Sequence, residues 1–245
     1  MSASPRWIVV AGPGDVAAAA CRLVLDAERE ALARSGTFRI ALSGGSTPRR
    51  LYELLSSSDE ATFASWRVFF GDERWVPADH PDSNFRMACE ALLDHVPIPS
   101  HQVHRIDTSS GSPEKAAYLY SMTLRRGLAP DPGETPRFDL VLLGLGSDGH
   151  TASLFPGSSA LAAAPGEIAV ATWVTAQSAW RVTLTAQVLC AARAVVFLVS
   201  GRDKAPALRR VREGSAGAPP ASLVRPTDGT LTFVVDEAAA VQIEA

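Results

Sequence analysis

Short, mostly apolar runs alternate along this chain with longer stretches in which apolar positions recur every three or four residues. The short runs are Trp7–Ala11, Phe38–Leu42, Arg67–Phe70, Phe138–Leu143, Ile168–Trp173, Val182–Leu184, Ala194–Val199 and Leu231–Val235. Several are unbroken in Val, Ile, Leu and Phe, the pattern of strands covered on both faces in a parallel sheet. Between the first two, Val16, Ala20, Leu23, Val24, Ala27 and Ala31 fall on one helical face. Pro48 is expected to open the next helix, because its missing N–H is harmless at the first helical position. Further helices are expected over Phe85–Leu93, Pro113–Arg126 and Asp203–Val211.

Strand and helix alternation implies βαβ crossovers, hence an α/β fold with a doubly wound, mostly parallel sheet flanked by helices. Ligands of such sheets sit beyond the carboxyl ends of the strands. Segments 127–136 (GLAPDPGETP) and 214–222 (GSAGAPPAS) read as surface loops. Both are short enough to lie within one α/β domain spanning 1–245.

A hydrophobic content of 47% is ample for a buried core at this length, and a net charge of -3 gives no global case for a nucleic-acid partner. Any anionic ligand must therefore be held by local chemistry. Cys21, Cys89 and Cys190 are far apart and odd in number, which fits buried, reduced thiols of a cytoplasmic protein better than disulfides or zinc. No uncharged apolar run approaches the ~20 residues of a membrane span, and the first residues lack a basic leader. A soluble protein without a membrane partner is expected.

Three loops carry candidate chemistry. After the second strand comes Ser43-Gly44-Gly45-Ser46-Thr47-Pro48. Adjacent glycines let the backbone approach a ligand, the following helix aims free N–H groups at it, and two hydroxyls add donors. This is a small anion cradle suited to a phosphate monoester, or else an ordinary Gly-rich strand-to-helix turn. The nucleotide-type G-x-x-x-x-G-K-[ST] loop is absent. After the third strand, Gly71-Asp72-Glu73-Arg74 puts carboxylates and a guanidinium at the sheet's carboxyl edge. Carboxylates accept from hydroxyls and Arg pairs with oxyanions, which suits a polyhydroxylated anionic substrate; a structural ion pair is the alternative.

The third loop is Gly144-Leu145-Gly146-Ser147-Asp148-Gly149-His150-Thr151-Ala152-Ser153-Leu154-Phe155-Pro156. Its G-x-G-x-x-G spacing matches the dinucleotide fingerprint, but Pro156 leaves little room for the required helix and Asp148 would repel a pyrophosphate. A nucleophile elbow G-x-S-x-G is missed because Leu145 stands where its first glycine belongs. What remains is Asp148-Gly149-His150, a carboxylate able to orient an imidazole as general base. His101-x-x-His104 lacks accompanying cysteines or acids, so no metal is expected there. His80 and His95 read as surface residues. Arg181, before the strand Val182–Leu184, and Lys204, in the first turn of a helix, are the basic residues available to close an anion site.

The segments ALSGGSTPRRLYELL (41–55), FFGDERWVPADHPDSNFRMACEALLDHVPIP (69–99), FDLVLLGLGSDGHTASLFPGS (138–158), RVTLT (181–185) and FLVSGRDKAPAL (197–208) together resemble the 6-phosphogluconolactonases. They span most of the chain in family order. The resemblance implies a fold shared with glucosamine-6-phosphate deaminases and ribose-5-phosphate isomerases, no cofactor, and hydrolysis of 6-phosphogluconolactone in the pentose phosphate pathway. It implies His150 as the base with Asp148 its neighbour, and Arg74 and Asp72 holding or polarising the substrate. Ser43, Gly44, Gly45, Ser46, Thr47, Arg181 and Lys204 would bind it, chiefly through the phosphate. A monomer or weak homodimer is expected. Two rivals are a glucosamine-6-phosphate deaminase/isomerase and a phosphosugar-sensing module without catalysis. The first would carry a Glu soon after the Asp-Gly-His loop, where Thr151 to Pro156 hold no acid; the second would need a DNA-binding domain that the chain does not show.

Overall fold

The computed structural model describes residues 4–128, 134–214 and 217–243, so parts of both expected surface loops, 129–133 and 215–216, lie outside the described residues. In chain order the strands are β1 (Arg6–Val10), β2 (Phe38–Leu42), β3 (Trp66–Phe70), β4 (Asp72–Arg74), β5 (Leu140–Gly144), β6 (Ala169–Val174), β7 (Ala179–Leu184), β8 (Ala194–Val199) and β9 (Thr230–Asp236). The helices are α1 (Pro13–Ser35), α2 (Ser46–Ser56), α3 (Asn84–Ala88), α4 (Pro113–Gly127), α5 (Ala186–Ala191), α6 (Ala205–Glu213) and α7 (Glu237–Ala240). A π-helical turn, Cys89–Leu93, continues α3, so the expected helix over Phe85–Leu93 is present with a widened second half.

Six strands form a parallel sheet in the order β1-β9-β8-β5-β2-β3. In the inner strands the apolar runs are buried as the pattern requires, with Ile40, Leu42, Val141, Leu143, Phe197 and Val234 all fully buried, whereas the edge strand β1 is only partly covered. The chain moves one way across this sheet through α1 and α2, and the other way through α4, α5 and α6. Because parallel crossovers are right-handed, the two sets of helices lie on opposite faces. The direction changes between β2 and β5, which are neighbours, with Ile40 opposite Leu140. Connections leaving these two strands diverge, and a crevice opens at their carboxyl ends.

Three strands do not join this sheet. β4, β7 and β6 form a separate antiparallel sheet, on which α4 packs. The expected strands Ile168–Trp173 and Val182–Leu184 are its hairpin. Arg181 therefore lies inside β7 rather than before it, and Asp72-Glu73-Arg74 is a strand rather than a loop. β4 pairs Asp72 with Thr183 and Arg74 with Arg181. Such pairing satisfies the backbone of three charged residues that no apolar pattern marks as a strand. Helix α2 begins at Ser46, two residues before Pro48. The first four N–H groups of a helix have no intrahelical partner, so proline is tolerated there as well. The cysteines are free but half-buried rather than buried. Among the described residues, no helix is long and apolar enough to cross a membrane.

Candidate active site

The β2 loop is held from below. The hydroxyl of Tyr52, buried on α2, accepts from the Ser43 N–H and donates to the Ser43 carbonyl, both at 2.9 Å. Gly45 has φ 111°, and a Cβ on Gly44 would stand 1.9 Å from Asn84 Oδ1, so both positions need glycine. The loop thus delivers the free N–H groups of α2 and the Ser46 and Thr47 hydroxyls to the crevice.

Strand β4 supplies the opposite wall. Glu73 turns away from the crevice and accepts from the backbone N–H groups of Arg74, Asn84 and Phe85 at 2.7–2.8 Å, fixing the start of α3. Burial pushes its carboxyl up, against those hydrogen bonds. Asp72 is buried and fully engaged: Asn84 Nδ2 donates to Oδ1 at 3.2 Å, Ser153 Oγ to Oδ2 at 2.6 Å, and Arg181 Nη1 lies 3.6 Å from Oδ2. Burial pulls the Arg181 guanidinium below its ordinary value, and the Asp72 charge works against that. Gln177, at the tip of the β6–β7 hairpin, accepts from Arg181 Nη2. Arg74 donates to the Asp82 carbonyl at 2.7 Å.

The β5 loop forms no helix before Ser159, in keeping with the rejected dinucleotide reading. Gly149, at φ 88°, bends the chain so that Asp148 Oδ1 accepts from both the His150 N–H at 3.0 Å and His150 Nδ1 at 2.6 Å. A Cβ on Gly146 would meet His150 Nδ1 at 2.1 Å, so this glycine makes room for the ring. Burial raises the Asp148 carboxyl, but the two hydrogen bonds and the imidazole charge outweigh it and hold the group below the usual range. An ionised carboxylate only accepts, so Nδ1 carries the proton and Nε2 is left as the basic nitrogen. The imidazole stacks on Phe155 with centroids 4.0 Å apart, and the Arg181 guanidinium carbon lies 5.7 Å from the same ring centre.

These walls enclose a cleft of about 320 Å³ at the point where the β2 and β5 connections diverge. Ser43 to Thr47, Asp72, Arg74, His150, Arg181 and Lys204 all line it. Asp148 stands behind His150 rather than on the lining. Lys204 ends a 3-10 turn just before α6, its Nζ 2.9 Å from Asp203. Three cations against one carboxylate give the cleft a local positive excess that the chain's net charge of -3 conceals. Asn84, Gln177, Ala152 and Ser200 also line it and were not singled out from the sequence. Ser43 Oγ, Asn84 Oδ1, Arg181 Nε and Ser200 Oγ are buried polar atoms without a partner among the described residues, and all belong to this lining. Five such atoms lie elsewhere in the described residues, but only here do several gather in one cleft, where they are available to ligand atoms.

The comparisons agree on the family. The model of glucosamine-6-phosphate isomerases/6-phosphogluconolactonase matches residues 12–233. A 6-phosphogluconolactonase of Nostoc sp. is 40% identical over 223 residues, covering 90% of this chain and 91% of the relative. The structure of 6-phosphogluconolactonase from Trypanosoma cruzi superposes with a TM-score of 0.89 at 33% identity, covering 100% of this chain and 99% of that one. A monomeric glucosamine-6-phosphate deaminase, 19% identical with a TM-score of 0.82, shares the fold. The chain is an enzyme of the glucosamine-6-phosphate isomerase/6-phosphogluconolactonase family.

Proposed function

We propose that the chain hydrolyses 6-phospho-D-glucono-1,5-lactone to 6-phospho-D-gluconate, the hydrolytic step of the oxidative pentose phosphate pathway, with His150 as general base. The observation that carries this reading is the Asp148–His150 pair on the wall of a cationic cleft whose orphaned donors and acceptors await a polyhydroxylated anion. Nε2 of His150 takes a proton from water as the water oxygen attacks C1 of the lactone. Arg74 stabilises the oxyanion that forms. Collapse breaks the bond from C1 to the ring oxygen, which receives the proton back from the imidazolium, and the new carboxylic acid ionises.

The loop from Ser43 to Thr47 and Lys204 hold the phosphate, and Arg181 completes the cationic wall beside His150. Anchoring the phosphate orients the reacting carbon from a distance. Asp72, with its oxygens occupied by the protein, acts by holding Arg181 and Asn84 in place. No step in this scheme requires a cofactor or metal, and activity is expected to survive exhaustive chelation. The absence of an acid from Thr151 to Pro156 favours the hydrolase over the deaminase. The three free thiols support a cytoplasmic setting.

The test is turnover of freshly made 6-phosphogluconolactone beside unphosphorylated gluconolactone and glucosamine 6-phosphate, corrected for spontaneous hydrolysis. Only the first is expected to be a good substrate. His150→Asn is expected to lower kcat by roughly 10²–10⁴-fold with a smaller change in KM. Equal kcat/KM for the two lactones would remove the phosphate site, and a folded His150→Asn enzyme of native kcat would remove the base.

A further inference from the structure

The parallel sheet ends at β3, and a second recess of about 350 Å³ lies beside that edge strand. Its side chains come from three places: Arg67 near the amino end of β3, Thr123 and Arg126 on α4, and His101, Gln102 and His104 on the turn between them. It shares no lining residue with the catalytic cleft, which lies past the carboxyl ends of the strands. The turn is fixed by the bridge between Val103 and Val68, by the His104 N–H donating to the Val68 carbonyl at 2.8 Å, and by Gln102 donating to the Ala64 carbonyl.

Two arginines and two histidines converge here, and none of the described lining residues is acidic. Two arginine clusters elsewhere are balanced by a shared carboxylate. Arg34, Arg39 and Arg193 gather on Asp139, while Arg49 and Arg86 share Glu90. In the recess, Arg67 spends one N–H on the Gly127 carbonyl at 3.4 Å and, among the described residues, has no carboxylate partner. Among the described residues, Arg126 and His101 have no side-chain partner, and the His104 ring is only stacked on Phe69. Burial chiefly, and then the charges of Arg67 and His101, hold the His104 imidazole below its ordinary value.

We propose that this recess is a second anion site, built for a small phosphate monoester. Guanidinium groups offer paired donors that match phosphate oxygens. The donors converge in one hollow instead of running along a stripe, which suits a free metabolite rather than a polymer backbone. The chain's net charge of -3 likewise gives a polyanion no long-range attraction. The proposal does not depend on which lactone the catalytic cleft turns over.

The experiment is titration of the full chain with inorganic phosphate at low ionic strength, followed by calorimetry and ³¹P NMR. Wild type is expected to bind two phosphates per chain. Arg67→Gln/Arg126→Gln is expected to weaken one of them by roughly tenfold or more, with kcat/KM for the lactone unchanged. Arg126→Gln alone, at an exposed helix position, is expected to give a smaller loss in the same site without risk to the fold. Lys204→Gln should weaken only the other. Glucose 6-phosphate is expected to displace phosphate from the second site in Lys204→Gln, and a short oligodeoxynucleotide is not. A single phosphate per wild-type chain, an isotherm unchanged in Arg67→Gln/Arg126→Gln, or displacement by the oligonucleotide alone would overturn the proposal.

Discussion

Phe155 shows how much one apolar residue contributes to a polar site. Its ring supports the His150 imidazole and lies beside the Arg181 guanidinium, so it sets the spacing of imidazole and cation. Aromatic and cation–π contacts are worth about 0.5–1.5 kcal/mol each. Phe155→Leu, which keeps bulk but loses the flat face, is therefore expected to lower kcat by roughly tenfold, and Phe155→Tyr to restore most of it. Steady-state kinetics and circular dichroism check this, and a well-folded leucine variant of native kcat would contradict it. Asp148 gives a prediction in pH. Its carboxyl titrates lower folded than unfolded, so its stabilisation is present above the unfolded value of ~3.9 and is lost as pH falls through the lowered native value. The gap in Tm between wild type and Asp148→Asn should accordingly narrow on acidification below about pH 4, as scanning calorimetry would report. At this scale the sequence was readable where chemistry and backbone freedom coincide, as in Gly44-Gly45 and Asp148-Gly149-His150. Asn84, Gln177 and Ser200 carry no such signature. They reach the cleft from a helix start, a hairpin tip and a strand end, and only tertiary approach makes them part of it.

Among the elements, β5 and β8 were legible because burial on both faces writes an unbroken apolar run, and β1, β2, β3 and β9 because short apolar runs survive beside their polar residues. Strand β4 was not, since all its residues are charged and its pairing with β7 is the only sign of what it is. Helices α5 and α7 are too short for an apolar period to show. Two buried tyrosines tie helices to strand ends in the same manner: Tyr52 of α2 brackets Ser43, and Tyr120 of α4 donates to the Phe70 carbonyl and accepts from its N–H. Burial pushes both phenols well up, so they stay neutral and keep both roles. Tyr52→Phe leaves the Ser43 N–H and carbonyl buried without partners, at a cost of about 1–3 kcal/mol. Because the loop above is the proposed phosphate cradle, KM is expected to rise along with the loss in denaturant midpoint. A rise in KM without destabilisation, or the reverse, would show that this clamp does not link the core to the cleft.

Across the whole molecule, Asp139 fastens the end of the sheet opposite the cleft. It is buried before β5 and draws in Arg34 at the end of α1, Arg39 of β2 and Arg193 before β8. Apolar contacts run continuously from Val16 in α1 to Ile243 after α7, and they include the small sheet through Val182 and Leu184. Residues 1–245 are therefore expected to unfold as one unit, with loss of activity and of tryptophan fluorescence superposing in urea; separated transitions would divide the chain into two domains. The divergence of the chain at β2 and β5 has a kinetic meaning as well. The Ser43–Thr47 loop and His150 line one cleft, yet the strands that carry them meet only when Ile40 finds Leu140, far along the chain. Closing so long a loop is slow compared with forming local structure, so a helical signal will return early during refolding while lactone turnover waits. The enzyme's own reaction thus serves as a clock for one long-range pairing at the heart of its fold.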